Sequence, residues 1–188
     1  MSEKNIIQEY CFLKEEMNQK IQLHNTLLTF TITTSVAILT FALSENNPML
    51  YLAPLLIIIP MSMRIAYYKL SIVKIAAYII VFIEKRICDL KWETRNNILF
   101  SDKKTEIIDR VTFLKDYECL ILSLTSYVLY IINYVKSGEL DVFVIFNIAW
   151  PLIFILYEFL ITIRMRLVDK KKNEWIKQWS AIKDKKVF

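Results

Sequence analysis

Two charged residues interrupt long apolar stretches and are the first candidates for chemistry. Arg64 follows the charge-free residues 46–63, and Glu158 is the one charge within residues 142–163. At 1.5 Å per residue from the outer end of each helix, both lie about 23 Å deep. A charge in hydrocarbon is costly unless it is paired or meets water, so we predict an intramembrane Arg64–Glu158 ion pair. The alternatives are an Arg64 that snorkels to the interface and a Glu158 that meets water, another subunit, an ion or a proton.

Two stripes of small or polar residues recur at helical spacings of three and four. The first contains Thr26, Thr29, Thr33, Thr40 and Ser44, and the second contains Ser123, Ser126 and Asn133. Small residues let helix backbones approach closely, and hydroxyl groups hydrogen-bond between helices, so the stripes predict helix packing. The alternative is that they line a polar pore in an oligomer.

Metal-dependent and catalytic chemistry have little support in this sequence. His24 is the one histidine, and Cys11, Cys88 and Cys119 are far apart, which argues against a metal site. A single glycine excludes Gly-rich phosphate loops, and no nucleophile–base motif is present. We therefore expect no enzyme activity, no cofactor, no bound metal and no nucleic-acid partner.

Four nearly charge-free stretches must position these residues. They cover residues 21–44, 46–63, 119–135 and 142–163. A bilayer core needs roughly 17–25 apolar residues per helix, so we predict an all-α membrane protein with four transmembrane helices arranged as two hairpins. The helices continue into a cytoplasmic bundle. Residues 70–83 are too few to span and contain Lys74, which favours an interfacial or cytosolic helix there.

The basic residues predict the orientation of the chain. Of the 24 Lys and Arg residues, Lys136 alone lies in an outer loop, so both termini and the middle segment belong in the cytoplasm. The net charge of +5 then suits an anionic inner leaflet. The predicted divisions are a cytoplasmic amphipathic helix (1–26), a membrane hairpin (27–63), a cytoplasmic segment (64–118) with a loop near 91–101, a second hairpin (119–163) and a basic tail helix (164–188).

Three tryptophans are candidate anchors for a partner or for the membrane interface. Trp92 lies in a polar stretch of mixed charge, and Trp175 and Trp179 alternate with basic residues in the tail. An exposed tryptophan is often an anchor of a protein interface. Basic residues interleaved with tryptophan are typical of a membrane-surface helix. The alternative is an aromatic belt beside a solvated loop.

Two hairpins with long cytoplasmic helices, in a chain rich in Ile, Lys and Asn, resemble small multi-pass subunits of bacterial anti-phage systems. SLATT-type membrane effectors and the membrane subunit of Kiwa are examples. The resemblance is architectural and covers the whole chain without a shared motif. It implies a homo-oligomeric inner-membrane protein that couples to a cytosolic partner or signal and that disturbs the membrane or senses its disturbance. The alternatives are a constitutive ion channel or small-solute transporter, and a membrane anchor for a cytosolic enzyme.

Overall fold

The regular structure of this chain is helical wherever the computed structural model describes it, which is over residues 3–45, 47–87, 90–101, 116–136 and 144–184. The helices are α1 (Glu3–Ser44), α2 (Ala53–Tyr78), α3 (Trp92–Ser101), α4 (Glu118–Lys136) and α5 (Val144–Asp184). A short 3-10 helix, Pro48–Leu52, precedes α2, and a π-helical stretch, Ile79–Ile83, follows it. The predicted all-α class is confirmed. Cys88 and the predicted outer turn at 137–141 lie outside the described residues.

Four helical stretches of the described chain are long and apolar enough to cross a membrane. They are Lys4–Ser44, Pro48–Ile83, Glu118–Lys136 and Phe146–Val168. Helices α1 and α5 have 42 and 41 residues, about twice the length that a bilayer core requires. Each of these two helices therefore has a long portion beyond what one membrane crossing needs.

Contacts divide the chain into two compact units. Unit 1 comprises Met1–His24, Tyr67–Phe113 and Met165–Phe188, and unit 2 comprises Asn25–Ala66 and Leu114–Arg164. Helices α1, α2 and α5 contribute residues to both units, whereas α3 belongs to unit 1 and α4 to unit 2.

The core of unit 2 contains three tyrosines of α4 that contact the beginning of α5. The Tyr127 hydroxyl donates to the Ile148 carbonyl at 2.9 Å, and the Tyr130 hydroxyl donates to the Asn147 carbonyl at 3.0 Å. In a regular helix the Asn147 carbonyl would accept from residue 151, but Pro151 has no N–H group. Tyr130 therefore supplies the hydrogen bond that the proline removes.

Replacing Tyr130 with phenylalanine should leave the Asn147 carbonyl without this donor and lower the free energy of unfolding by roughly 1 kcal/mol. Tyr127→Phe is the matched control, because the Ile148 carbonyl keeps a backbone donor at Leu152. Thermal denaturation in detergent measures both changes. In a Pro151→Ala background, which restores the missing N–H group, Tyr130→Phe should cost less. An equal cost in both backgrounds would contradict this role for Tyr130.

The core of unit 1 forms around the π-helical stretch. Ile79, Val81 and Ile83 are buried there together with Ile6 of α1, and Ile176 of α5 packs against them. Residues of the apolar segment 70–83 thus pack against the first part of α1 and the last part of α5. This packing gives the segment an apolar environment without a membrane.

The predicted loop near residues 91–101 is wrong, because α3 occupies Trp92–Ser101. The segment has little apolar periodicity and no Ser, Thr, Asp or Asn immediately before it to cap a helix. Its first turn is stabilised instead by a side chain from earlier in the chain, Glu84, which hydrogen-bonds its backbone N–H groups.

Candidate functional site

Glu158 of α5 is fully buried inside unit 2. Its Oε2 atom lies 2.7 Å from the hydroxyl oxygen of Ser62 on α2, and its Oε1 atom has no hydrogen-bond partner. Ser62 is also fully buried. A carboxyl group in such a place is costly unless its charge is neutralised or paired. Glu158 is therefore the strongest candidate for chemistry in unit 2.

The predicted ion pair between Arg64 and Glu158 is wrong. The Arg64 side chain is exposed, whereas Ser62 meets the carboxyl group. Two residues along an α-helix correspond to a rotation of about 200° around its axis, so Arg64 and Ser62 lie on nearly opposite sides of α2. The number of residues from the end of a helix gives the depth of a side chain but not its direction around the helix axis. The structure replaces the Arg64–Glu158 pair with a Ser62–Glu158 hydrogen bond.

The second small-residue stripe lies at helix contacts within unit 2. Ser123 and Ser126 are fully buried, and the Ser126 hydroxyl donates to the Tyr51 carbonyl of the neighbouring 3-10 helix. Asn133 is half-buried and donates to the Leu129 carbonyl of its own helix at 2.9 Å. Ser126 thus contacts another helical element, whereas the Asn133 side chain hydrogen-bonds within α4.

The first stripe lies on the other side of α1 from its buried face. Its five members, Thr26, Thr29, Thr33, Thr40 and Ser44, are all exposed. The buried face of the same helix contains Thr31, Ser35, Leu39 and Ala42. Thr33 and Thr40 donate to carbonyls four residues earlier, both at 2.9 Å, so these hydroxyls are satisfied within the helix. The two stripes do not face each other.

A polar cluster in unit 1 holds α3 against its neighbours. The Glu84 carboxylate accepts from the backbone N–H groups of Glu93 at 2.6 Å and Thr94 at 2.9 Å, and from the Thr94 hydroxyl at 2.5 Å. The first N–H groups of a helix have no partner within the helix. Glu84, only 4% exposed, satisfies two of them. Sequence reasoning missed this cap because it lies outside the short-range pattern that signals one.

Glu93 extends the cluster from α3 to two other helices. Its Oε1 atom lies 2.5 Å from Lys14 Nζ of α1, and its Oε2 atom lies 3.8 Å from Lys172 Nζ of α5. Glu93 is only 3% exposed, so solvent screens these pairs weakly. Glu93 thus connects α3 to α1 and α5, and Glu84 connects α3 to the end of the π-helical stretch that follows α2. We call these four residues, Lys14, Glu84, Glu93 and Lys172, the α3 clamp.

The three predicted tryptophan anchors have different environments. Trp92, in the first turn of α3, is 65% exposed. Trp175 is half-buried, with Lys74 Nζ 5.1 Å from its ring centroid in a cation–π contact. Trp179 packs edge-on against Tyr78 and Phe82, with ring centroids 5.5 and 6.1 Å away. Trp92 alone keeps the exposed position expected of an anchor, and Trp179 is part of a core.

Tyr78 in unit 1 links α2 to the first turns of α1. Its hydroxyl donates to Glu9 Oε1 at 2.8 Å.

No protein-family model, curated protein or solved structure matches this chain. Across the described ranges, no three His, Cys, Asp or Glu side chains are grouped in a way that could hold a metal ion. Function must therefore be inferred from two features, the buried Glu158–Ser62 contact of unit 2 and the α3 clamp of unit 1.

Replacing Ser62 with alanine should lower the free energy of unfolding by about 1–2 kcal/mol, because Glu158 would lose its hydrogen-bond partner while staying buried. Thr162→Val is the matched control. Thr162 is equally buried, and its hydroxyl donates only to the Glu158 backbone carbonyl of its own helix. Denaturation midpoints in detergent compare the two variants. A Ser62→Ala protein as stable as the parent would show that the Ser62–Glu158 contact does not stabilise unit 2.

Proposed function

We propose that this chain is a non-enzymatic, homo-oligomeric protein of the bacterial inner membrane whose cytoplasmic unit 1 restrains a membrane-disturbing unit 2. In this proposal both termini and unit 1 lie in the cytoplasm, next to an anionic leaflet. A cytosolic partner or signal releases the restraint by acting on α3. The architectural resemblance to membrane subunits of anti-phage systems supports this kind of triggered element.

The observation that carries the proposal is the double contact of Glu93. One carboxylate on α3 binds Lys14 of α1 and Lys172 of α5, and both of those helices continue into unit 2. A continuous helix transmits a displacement along its length, because its backbone hydrogen bonds resist local bending. A change at α3 therefore reaches the apolar helices without any separate linker.

The exposed side of α3 supplies a surface for the partner. Trp92, Arg95 and Ile98 are exposed and follow one another at intervals of three residues, so they lie along one side of the helix. Glu93, on the buried side, forms the clamp. A partner that binds Trp92 thus contacts a residue directly adjacent to Glu93. Loss of binding to a partner after Trp92→Ala, with the clamp intact, is expected.

The proposed contact between copies uses the exposed stripe of α1. Thr29, Thr33 and Thr40 present small side chains on a helix that is apolar enough to span a membrane. Lipid tails are as apolar as leucine side chains, so the hydrophobic effect does not bring helices together inside a bilayer. Close packing of the helix backbones contributes to their association instead. A second copy offers that packing to the stripe, whereas lipid does not.

The test is the permeability of vesicles that contain the purified full-length chain in anionic lipid. Glu93→Ala removes the carboxylate that joins α1 and α5, and Trp92→Ala is the control on the adjacent exposed position. We expect the parent protein and Trp92→Ala to retain an entrapped dye and Glu93→Ala to leak. A clamp contribution of one to two kcal/mol corresponds to roughly a 5–30-fold increase in the released state.

The remaining outcomes contradict the proposal and point to the alternatives. Equal leakage from the parent protein and Glu93→Ala would indicate a constitutive channel or transporter. Intact vesicles with every variant would indicate a scaffold or anchor for a cytosolic protein, because loosening α3 would then have no effect on the membrane.

A further inference from the structure

The Ser62 hydroxyl, in the buried contact between α2 and α5, lies within hydrogen-bond distance of two oxygen atoms but can donate to only one of them. Ser62 Oγ lies 2.9 Å from the Ile59 carbonyl oxygen and 2.7 Å from Glu158 Oε2. A serine hydroxyl carries one proton, and a carbonyl oxygen only accepts. If Ser62 donates to Ile59, the proton between Ser62 and Glu158 has to come from the carboxyl group.

The electrostatic surroundings agree with a proton on Glu158. The side chain is fully buried within the apolar stretch Phe146–Val168, and its Oε1 atom has no hydrogen-bond partner. The ordinary counter-charge for a buried carboxylate would be Lys or Arg, but Arg64 is exposed. An ionised carboxylate with one hydroxyl partner would cost several kcal/mol. A metal ion needs several oxygen ligands, whereas among the described residues Ser62 supplies the one side-chain hydrogen bond to Glu158.

We propose that Glu158 is a proton-binding site and that unit 2 packs as it does here only while the proton is bound. The protonated carboxyl donates from Oε2 to Ser62 Oγ, and Ser62 donates to the Ile59 carbonyl. When the proton leaves for water, Ser62 turns its own proton toward the carboxylate, and a negative charge remains between α2 and α5. Water then enters to solvate that charge, and the contact between the two helices loosens.

The titratable groups near Glu158 do not supply a positive charge that could neutralise its carboxylate in place of the proton. Cys119 of α4 is the thiol within electrostatic range of Glu158, and Glu118 lies within range of that thiol. Neither group brings a positive charge. The site is therefore a proton switch inside unit 2, and it needs no cytosolic partner. It extends the proposed function by giving unit 2 a second trigger, alkaline pH, independent of α3.

Infrared spectroscopy of the full-length protein in vesicles tests the proposal. The difference spectrum between the parent protein and Glu158→Gln should contain the C=O stretch of a protonated carboxylic acid at neutral pH. This band should disappear as the pH rises, and replacing choline chloride with sodium chloride should leave it unchanged. Absence of the band at neutral pH would overturn the proposal. Loss of the band on adding sodium would instead identify a cation site.

Ser62→Ala provides a second test that does not depend on the folding of Glu158→Gln. Removing the hydroxyl takes away the acceptor of the carboxyl proton, so the acid band should shift in frequency and remain. An unchanged band would show that the proton is not shared with Ser62. Because this readout does not involve leakage, its failure is distinguishable from a failure of the α3 clamp.

Thiol labelling reports the predicted loosening. Cys119 is buried and Cys11 is exposed. In a chain that carries Cys11→Ser and Cys88→Ser, maleimide labelling of Cys119 should increase several-fold more between neutral and alkaline pH in the parent than in Glu158→Gln. The shared part of the increase reflects the thiol itself. Equal increases in both proteins would contradict a proton-dependent packing of unit 2.

Discussion

Replacing Glu84 with alanine is expected to release α3 from unit 1, at a cost of about 3 kcal/mol in its local stability. Glu84 accepts three hydrogen bonds, two of them from backbone N–H groups at the start of α3. A hydrogen bond to a charged group contributes roughly 1.5–3 kcal/mol, and the loss of a helix cap costs about 1 kcal/mol. The Glu93 N–H group would lose its acceptor in a buried place and the Thr94 N–H group in a partly buried one. Hydrogen exchange at the Glu93 and Thr94 amides measures the effect directly.

Two variants separate the cap from general damage. Lys85→Ala changes an adjacent exposed residue and should leave exchange in α3 unchanged. Glu84→Gln keeps one carbonyl oxygen as an acceptor and should give an intermediate exchange rate. If the Glu93 and Thr94 amides stay as protected in Glu84→Ala as in the parent, another group must hold α3, and the α3 clamp would be incorrect.

The other large effect is expected at Trp179, whose replacement with alanine should destabilise unit 1 by about 3 kcal/mol. Truncation of a packed tryptophan removes apolar contacts and leaves a cavity, at a typical cost of 3–5 kcal/mol. Trp179 is half-buried, which favours the lower end of that range. It contacts both Tyr78 and Phe82, so the cavity would open in the core around the π-helical stretch. The loss of near-ultraviolet circular dichroism on heating measures the change.

The comparison with Trp175 makes this result specific. Trp175 lies on the same helix but contacts Lys74 by a cation–π interaction, which contributes roughly 0.5–1 kcal/mol at an exposed site. Trp179→Phe should cost less than Trp179→Ala, because phenylalanine keeps an aromatic ring against Tyr78 and Phe82, and the buried indole N–H group has no hydrogen bond to lose. A Trp175→Ala variant as unstable as Trp179→Ala would contradict the assignment of Trp179 to the core.

The four apolar spans are predictable because their signal is one of length and composition. Residues 21–44 and 119–135 contain no Asp, Glu, Lys or Arg, and a stretch of that length suits a membrane crossing wherever it packs. The position of a residue around its helix is a different quantity. The predicted depths of Arg64 and Glu158 match, yet the angle around α2 between Arg64 and Ser62 decides which of the two meets the carboxyl group.

Helix α1 shows why the residue types of an apolar helix do not distinguish its exposed face from its buried face. Thr29 and Thr33 are exposed, whereas Thr31 and Ser35 are buried, although both faces carry small hydroxyl residues. In a soluble helix, polarity distinguishes the two sides. In a helix that passes through lipid both surroundings are apolar, so residue type carries little information about the direction of packing.

Helix α3 is not predictable from its local sequence for a related reason. Its stability depends on Glu84, Lys14 and Lys172, which lie far from it in the sequence or outside the local capping pattern. A local pattern search assigns these charges to a solvated surface, which is their commonest place. The contact between Glu93 and two basic residues becomes visible only when the helices are assembled.

Cysteine accessibility in cells tests most directly the central claim that two membrane hairpins connect cytoplasmic segments. In a chain without other cysteines, the test positions are Cys11, Met49→Cys, Trp92→Cys and Gln178→Cys, all exposed. A membrane-impermeant thiol reagent added to intact cells should label Met49→Cys alone, and permeabilisation should make the other three reactive. Labelling of Cys11, Trp92→Cys or Gln178→Cys in intact cells, or protection of Met49→Cys, would contradict the account.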